Sequence, residues 1–242
     1  MLFDMHSHIL PGVDDGAKDL EESVQLLTMM KEQGITHVIA TPHFYPSSDS
    51  IDAFSTRVEN AHKQLTDAVQ GKDLPQIILG SEVLYYRYIG RSESLRRFCL
   101  NGSRHLLLEL SATCIGNGLF DDLIMLTNTA GITPIIAHIE RYANFPGYKK
   151  LIDFVLENRI PAQINASAAL SFFEFQTIKK LIRRGIVTYI GTDAHSVTGR
   201  PPMMKPALEK LQHKYGPDFT AMLRKNSQKL YQEITRREPN EE

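Results

Sequence analysis

Two histidines two residues apart, His6 and His8, stand in the opening segment Asp4-Met5-His6-Ser7-His8. Asp193 and His195 repeat that spacing far downstream, in IGTDAH. Residues i and i+2 of a strand point to the same side, so each pair can offer two ligands to one cavity. Between the pairs, His43 in TPH, Glu82 in GSE, Glu109 in LLLELS and His138 in IIAHIER each end or follow an apolar run. Imidazole and carboxylate together suit Mn, Fe or Zn better than an all-oxygen calcium or magnesium cage. Glu82 and Glu109 can bridge ions, because a carboxylate has two oxygens. These polar groups, brought together without cations, would carry a heavy desolvation cost. The chemistry expected of them is phosphoester hydrolysis by a cluster of divalent ions that activates water and clamps a phosphoryl group.

Other residues could serve the same cavity. Asp14 and Asp15 follow Pro11-Gly12, and either can reach the site or belong to a solvated turn before the next helix. Arg141 and Arg200 follow His138 and Asp193 closely. A guanidinium carries only donors, so these two are candidates for phosphate oxygens and not for metals. Phe44, Tyr45 and Tyr142 are candidates for a rim that receives an aromatic ring. Cys99 and Cys114 form no close metal or redox pair, and neither has an arginine six positions on. That argues against a cysteine-based phosphatase and for two buried thiols in a reducing compartment.

These side chains need a scaffold that gathers strand ends. Candidate strands are Leu2–Met5, Ile35–Ala40, Gln76–Leu79, Leu106–Leu110, Thr133–Ala137, Ile160–Asn165 and Ile186–Ile190. They are rich in Ile, Leu and Val, as strands buried on both faces are, and amphipathic stretches lie between them. That is the pattern of a parallel sheet, whose strands present their carboxyl ends on one face. The first helix is expected to start at Asp19, with Glu22 in the reciprocal capping position. Leu20, Val24, Leu27 and Met30 should form its inner face, and Gly34 its stop. Further helices are expected over Gly118–Ala130, Tyr148–Asn158, Phe172–Arg184, Met204–Lys214 and Asp218–Arg237, with a frayed tail at Glu238–Glu242. The segments Phe44–Phe54 and Tyr86–Gly102 are less regular and are candidates for active-site loops. Seven strands can close a barrel or form an open sheet, and pattern alone leaves both open.

Composition agrees with one soluble α/β domain over 1–242. The 242 residues are 42% hydrophobic, and 27 Lys and Arg nearly balance 28 Asp and Glu. The near-neutral charge gives no reason to expect nucleic acid as a partner. The opening MLFDMHSHILPG lacks the pattern of a signal peptide, and no apolar run is long enough for a membrane span. The cytoplasm is the expected location.

The ordered series HSH, TPH, Glu82, Glu109, His138 and DAH resembles the polymerase-and-histidinol-phosphatase (PHP) superfamily of metal hydrolases. Within it, MHSHILPGVDDGAKDLEESVQLL, HIERY and TDAH followed by Arg200 resemble the bacterial CpsB/YwqE-type manganese-dependent protein-tyrosine phosphatases. The resemblance implies a distorted (β/α)7 TIM-like barrel with three divalent ions, Mn favoured and Fe, Zn or Mg as alternatives. It implies one ion among His6, His8, Glu82 and Asp193, a second among Glu82, Glu109 and His138, and a third among Asp15, His43 and His195. Asp15 is matched in preference to Asp14 because it directly precedes Gly16. Arg141 and Arg200 match the family's phosphate-contacting arginines. The implied substrate is a phosphotyrosine protein, the tail of a cognate tyrosine autokinase that controls capsule or exopolysaccharide synthesis. The prolines of GRPPMMK depart from the family pattern at the rim. A small-molecule phosphatase, such as one acting on histidinol phosphate, is the competing reading. A non-enzymatic metal-binding or interaction module is the alternative of another class, and no ligand of the series is lost to support it.

Overall fold

The computed structural model describes residues 1–236. All the strands pair in parallel, in the order β1-β2-β4 in one sheet and β3-β5-β6-β7-β8-β9 in the other. The strands are β1 (Phe3–Ser7), β2 (His37–Ala40), β3 (His43–Phe44), β4 (Gln76–Leu79), β5 (Glu82–Leu84), β6 (His105–Glu109), β7 (Thr133–Ile136), β8 (Ala162–Asn165) and β9 (Val187–Gly191). Each expected strand is present within a residue or two of its expected bounds. Two short strands, β3 and β5, were not expected and lie just past expected ones. β3 continues β2 beyond Thr41-Pro42, and β5 continues β4 beyond Gly80-Ser81. The register does not slip across the gap, since Ala40 pairs with Leu79 and His43 with Glu82. Glu82 N donates to Pro42 O within the interruption. At the other border Asp193 N donates to His6 O and His8 N to Ala194 O, both at 2.8 Å, beside a parallel bridge between Ser7 and Ala194.

The connections are helical: α1 (Leu20–Glu32), α2 (Ile51–Val69), α3 (Asn117–Asn128), α4 (Tyr148–Glu157), α5 (Ala166–Leu170), α6 (Glu174–Arg183), α7 (Met204–Tyr215) and α8 (Pro217–Thr235). Asp19 caps α1 by accepting from Glu22 N at 2.9 Å. The reciprocal bond differs from expectation. Glu22 accepts from Lys18 N and from Val197 N, so its carboxylate ties the helix to the loop after β9. The inner face of α1 is Ser23, Leu26, Leu27 and Met30, while Leu20 and Val24 are only half-buried. Gly34 closes the helix with φ of 81°, a left-handed conformation that costs glycine least. α2 was not expected: it begins inside the stretch that read as irregular, capped by Ser50, and buries Phe54, Val58, Ala61 and Leu65.

Tyr86–Gly102, which follows the carboxyl end of β5, is packed over part of its length. Short 3-10 turns there bury Ile89, Leu95, Phe98, Cys99 and Leu100. The expected tail Glu238–Glu242 and Arg237 lie outside the described residues. Cys99 is a buried thiol, but Cys114 is half-exposed, and both are free. Among the described residues no helix is long and apolar enough to cross a membrane.

The apolar interior has two parts. A large cluster fills the space between helices and sheets. A smaller one joins Phe3, Met5, Ile39, Ile78, Leu107, Ile135 and Tyr189 to Leu230 and Ile234 of α8. Leu107 and Glu109 stand two apart on β6, so one strand face passes from apolar packing to a carboxylate over one repeat.

Candidate metal centre

The polar residues that end the strands meet. On β1, Asp4 is wholly buried and accepts from Thr192 N at 2.9 Å and Thr192 Oγ1 at 2.5 Å, which fastens the strand to the end of β9. Burial pushes its carboxyl up to about 6 despite those donors. A register irregularity falls between Asp4 and Ser7, the interval that contains His6, and such bulges re-aim side chains. Two further site residues have left-handed backbone although neither is glycine: His138 at φ 29° and Asp193 at φ 52°. Such conformations cost on the order of 1–3 kcal/mol and gather at functional sites. Gly191 is needed for proximity, because a Cβ there would lie 2.7 Å from His6 Cβ. Gly16 is needed too, since its Cβ would fall 2.1 Å from His8 O.

Four ligand atoms form the innermost group. His6 Nε2 lies 3.1 Å from His8 Nε2, 3.1 Å from Glu82 Oε2 and 3.5 Å from Asp193 Oδ1. His8 Nε2 lies 3.3 Å from that Glu82 oxygen and 3.4 Å from that Asp193 oxygen. Ligands about 2.0–2.1 Å from one tetrahedral ion stand about 3.3–3.4 Å from each other, so the spacing fits a cation. A second group comprises His43, Glu82 and Glu109. His43 Nδ1 is 3.1 Å from Glu82 Oε2 and 3.8 Å from Glu109 Oε2. His138 reaches the same two carboxylates through Nε2, at 2.8 Å from Glu82 and 3.6 Å from Glu109. A third group places Asp15 Oδ1 3.5 Å from both His43 Nε2 and His195 Nε2, with His8 adjoining. His43 thus faces two groups, one with each ring nitrogen. All nine residues expected as ligands are brought together.

The donor set is short of positive charge. Burial alone would raise Glu82 and Asp193, yet His6 with His138, and His6 with His8, hold their carboxyls well below the ordinary range. Glu109 is pushed up to about 7 by burial and by the charge of Glu82. His195 is pulled down to about 4 by burial and by His8. His43 Nδ1 and His195 Nε2 are buried without any hydrogen-bond partner. The 3.1 Å from His43 Nδ1 to Glu82 has the length of a hydrogen bond but not its direction, so the nitrogen is left unpaired. Unpaired buried nitrogens aimed at carboxylates are what bound cations would satisfy.

The two arginines meet one atom. Arg141 Nη2 donates to Asp193 Oδ2 at 2.5 Å and Arg200 Nη2 to the same oxygen at 2.6 Å. Both remain partly exposed, at 36% and 40%. A guanidinium has five N–H groups, so each keeps donors beyond this pairing. Asp14 lies behind the site: it accepts from His8 Nδ1 at 2.7 Å and His43 N at 2.9 Å. Asp15 is the one that faces the ligands, with a side chain 67% exposed.

Two rim candidates are corrected. Phe44 is buried against Phe54 and Phe98. Tyr142 is also buried, where its hydroxyl accepts from Leu110 N at 3.0 Å and meets His138 Nδ1 at 3.2 Å. Tyr45 alone of the three is half-exposed, with its ring stacked 5.1 Å from His43. Sequence reasoning missed Gln163 and Asn165, which sit two apart in the otherwise apolar run AQIN of β8. The signal was available, since it is the i, i+2 spacing already read in HSH and DAH.

Histidines and carboxylates converging on the carboxyl ends of a parallel α/β sheet, with arginines on one ligand, define a metal-dependent hydrolase architecture. The chain belongs to the CpsB/CapC family of capsular polysaccharide synthesis, whose model matches residues 2–232. It is 32% identical to tyrosine-protein phosphatase CpsB of Streptococcus pneumoniae, covering 89% of this chain and 91% of that protein. It is 28% identical to tyrosine-protein phosphatase YwqE of Bacillus subtilis, covering 97% and 93%. Its fold matches the crystal structures of YwqE and CpsB, described as unique metal-dependent tyrosine phosphatases, at TM-score 0.81 and 23% identity over 96% of this chain and 95% of that one.

Proposed function

We propose that this chain is a metal-dependent protein-tyrosine phosphatase whose substrate is the phosphorylated tail of a tyrosine autokinase in capsule or exopolysaccharide synthesis. The observation that carries the reading is the division of Asp193, one oxygen toward the ligand cluster and the other toward two half-exposed arginines. That arrangement sets phosphate-reading donors beside a cation site. Membership of a family whose relatives are named tyrosine-protein phosphatases supports the choice of substrate.

The ligands we assign are His6, His8, Asp15, His43, Glu82, Glu109, His138, Asp193 and His195, holding three divalent ions, with Mn2+ favoured. When bound, the ions supply an activated water and neutralise charge on the phosphoryl oxygens. Arg141 and Arg200 orient the phosphate and offset charge that grows on its equatorial oxygens in the transition state. Tyr45 flanks the entering ring. Asp14 holds the His8 ring so that Nε2 faces the ligand cluster. The tyrosine leaves as phenolate, whose conjugate acid has a pKa of about 10, so it departs more readily than an alkoxide. We place all of this in a single cytoplasmic domain over 1–242, with the two sheets wrapped as a distorted (β/α)7 barrel.

The test is steady-state turnover of a phosphotyrosine peptide, a phosphoserine peptide and histidinol phosphate, with Mn2+ added to chelator-stripped protein. Metal-dependent preference for phosphotyrosine is expected. Preference for histidinol phosphate would assign a small-molecule phosphatase instead, and no turnover of any of the three would revive the binding module.

A further inference from the structure

Behind the innermost ligands, two buried amides form a chain whose direction is fixed by the backbone. Gln163 Oε1 accepts from the backbone N–H of His138 at 2.8 Å. Gln163 Nε2 donates to the carbonyl of Ile164 at 2.7 Å. A backbone N–H can only donate and a carbonyl can only accept, so these partners decide which end of the amide is oxygen. His6 Nδ1 lies 3.2 Å from that oxygen and must therefore carry a proton. In a neutral ring this leaves the lone pair on Nε2, the atom that meets His8, Glu82 and Asp193.

The same logic runs the other way along β8. The second N–H of Gln163 donates to Asn165 Oδ1 at 2.8 Å. Asn165 must then donate through Nδ2, which it does to Asp193 Oδ2 at 2.7 Å. That oxygen already receives Arg141 and Arg200, which leaves Oδ1 to face the histidines. Gln163, Asn165, His6 and Asp193 are all buried, at 0%, 1%, 0% and 3% exposure, so water does not compete for these bonds. The close approach of Gln163 to β1 depends on Gly191, where a Cβ would stand 3.1 Å from Gln163 Nε2 and 2.7 Å from His6 Cβ.

We infer that Gln163 and Asn165 are positioning residues that present His6 and Asp193 to one cation and link that cation's ligands to the arginine pair. They touch neither cation nor substrate and act through the residues that do. The inference rests on the proposed metal-dependent function for its biological meaning, but its test needs no substrate.

The experiment titrates Mn2+ into chelator-stripped protein by calorimetry. Gln163→Met keeps the length of the side chain and removes both the acceptor and the donors. It is expected to weaken the tightest Mn2+ binding by about 10–100-fold, the usual cost of losing a group that orients a ligand. Gln163→Glu retains an acceptor for His6 and His138 but loses the donors to Ile164 and Asn165, and is expected to recover part of that loss. Asn165→Ala leaves Gln163 on His6 and removes the donor to Asp193. It is expected to weaken Mn2+ binding and, on phosphotyrosine peptide, to raise KM more than it lowers kcat. Its behaviour decides the matter should Gln163→Met not fold. Mn2+ affinity within about twofold of the unaltered protein in Gln163→Met and Asn165→Ala, set against that expected loss, would overturn the inference. So would an equal loss in Gln163→Met and Gln163→Glu, which a packing role predicts and an acceptor role does not. An unaltered protein that binds Mn2+ but hydrolyses no phosphotyrosine would sink the functional reading and leave this one intact.

Discussion

The inner ligand group and the outer one are built differently. His6, His8, Glu82 and Asp193 are almost wholly buried, and both rings are held from behind, His6 by Gln163 and His8 by Asp14. The outer group relies on Asp15, 67% exposed on a loop, and on His43, whose Nδ1 is buried without a hydrogen bond. His195 is tethered there through Nδ1 to the Asp193 carbonyl at 3.0 Å. A buried, pre-oriented set loses little freedom on binding a cation, whereas an exposed loop carboxylate must be ordered first. The centre should therefore have a tight floor and a looser mouth.

The largest expected effect comes from breaking the floor. His6→Ala and Asp193→Ala should each cut phosphotyrosine turnover by more than about 100-fold, beyond the range for residues that only support a ligand. Circular dichroism should show both variants folded, with some loss of stability because bound metal favours the native state. Turnover close to normal in either one would remove the distinction between floor and mouth.

Asp15→Ala tests the mouth. It should lower metal content by one ion, leave the inner ion in place, and reduce turnover by about 10–100-fold. Elemental analysis during stepwise removal by chelator should show the outer ion leaving first in the unaltered protein as well. Loss of all ions together in Asp15→Ala would mean that the centre assembles as one unit.

The same contrast marks how far the sequence could be read. Most of the residues we propose as ligands were legible because they break an apolar run at a strand end, and the HSH and DAH spacing reports which side chains share a face; Asp15, on a loop, was singled out by the family resemblance alone. Expected strands fell within a residue or two of the observed ones for the same reason: double-sided burial writes itself as continuous Ile, Leu and Val. What lay behind the ligands was harder to see. Nothing in HIERY distinguishes a rim tyrosine from Tyr142 as found, buried with its hydroxyl on His138 and Leu110. α2 was missed although its signal was present: Phe54, Val58, Ala61 and Leu65 recur at the spacing of one helix face, behind the cap at Ser50. The arginines were placed near the site by sequence distance, but their shared grip on Asp193 Oδ2 depends on a left-handed turn at Asp193 that no pattern announces.

Arg141 and Arg200 are expected to have a smaller effect than the floor ligands. Each makes a charge-assisted hydrogen bond of the kind worth about 1.5–3 kcal/mol, or about 10–150-fold in kcat/KM. Arg141→Ala and Arg200→Ala should keep all their ions, because Asn165 still holds Asp193 Oδ2. Lysine at either position should restore part of the loss, since a point charge lacks the planar fork. Unchanged kinetics in both alanine variants, with metals retained, would make the arginines structural partners of Asp193 alone.

The smallest effect on turnover, and the clearest on stability, lies one layer deeper on the buried side. Glu140 is fully enclosed, with Oε1 accepting from Asn165 N at 3.2 Å and Oε2 without a partner. Burial raises its carboxyl from an ordinary 4.5 to about 8. Between those values the unfolded chain has released the proton while the folded protein still holds it. The unfolded state therefore binds fewer protons, and stability falls as pH rises through that window, then levels above it. The total is on the order of a few kcal/mol, because each tenfold change in proton affinity is worth about 1.4 kcal/mol. Glu140→Gln keeps an acceptor for Asn165 N and removes the ionisation. Denaturant midpoints, taken with saturating Mn2+, should be similar for the two proteins at about pH 5 and higher for the variant at about pH 9. Turnover should change little, since the Glu140 carboxyl bonds to the backbone N–H of Asn165 and to no proposed ligand atom or arginine side chain. Parallel pH profiles of stability would show that Glu140 stays ionised in the fold, and that the buried side of the centre tolerates a charge that its burial argues against.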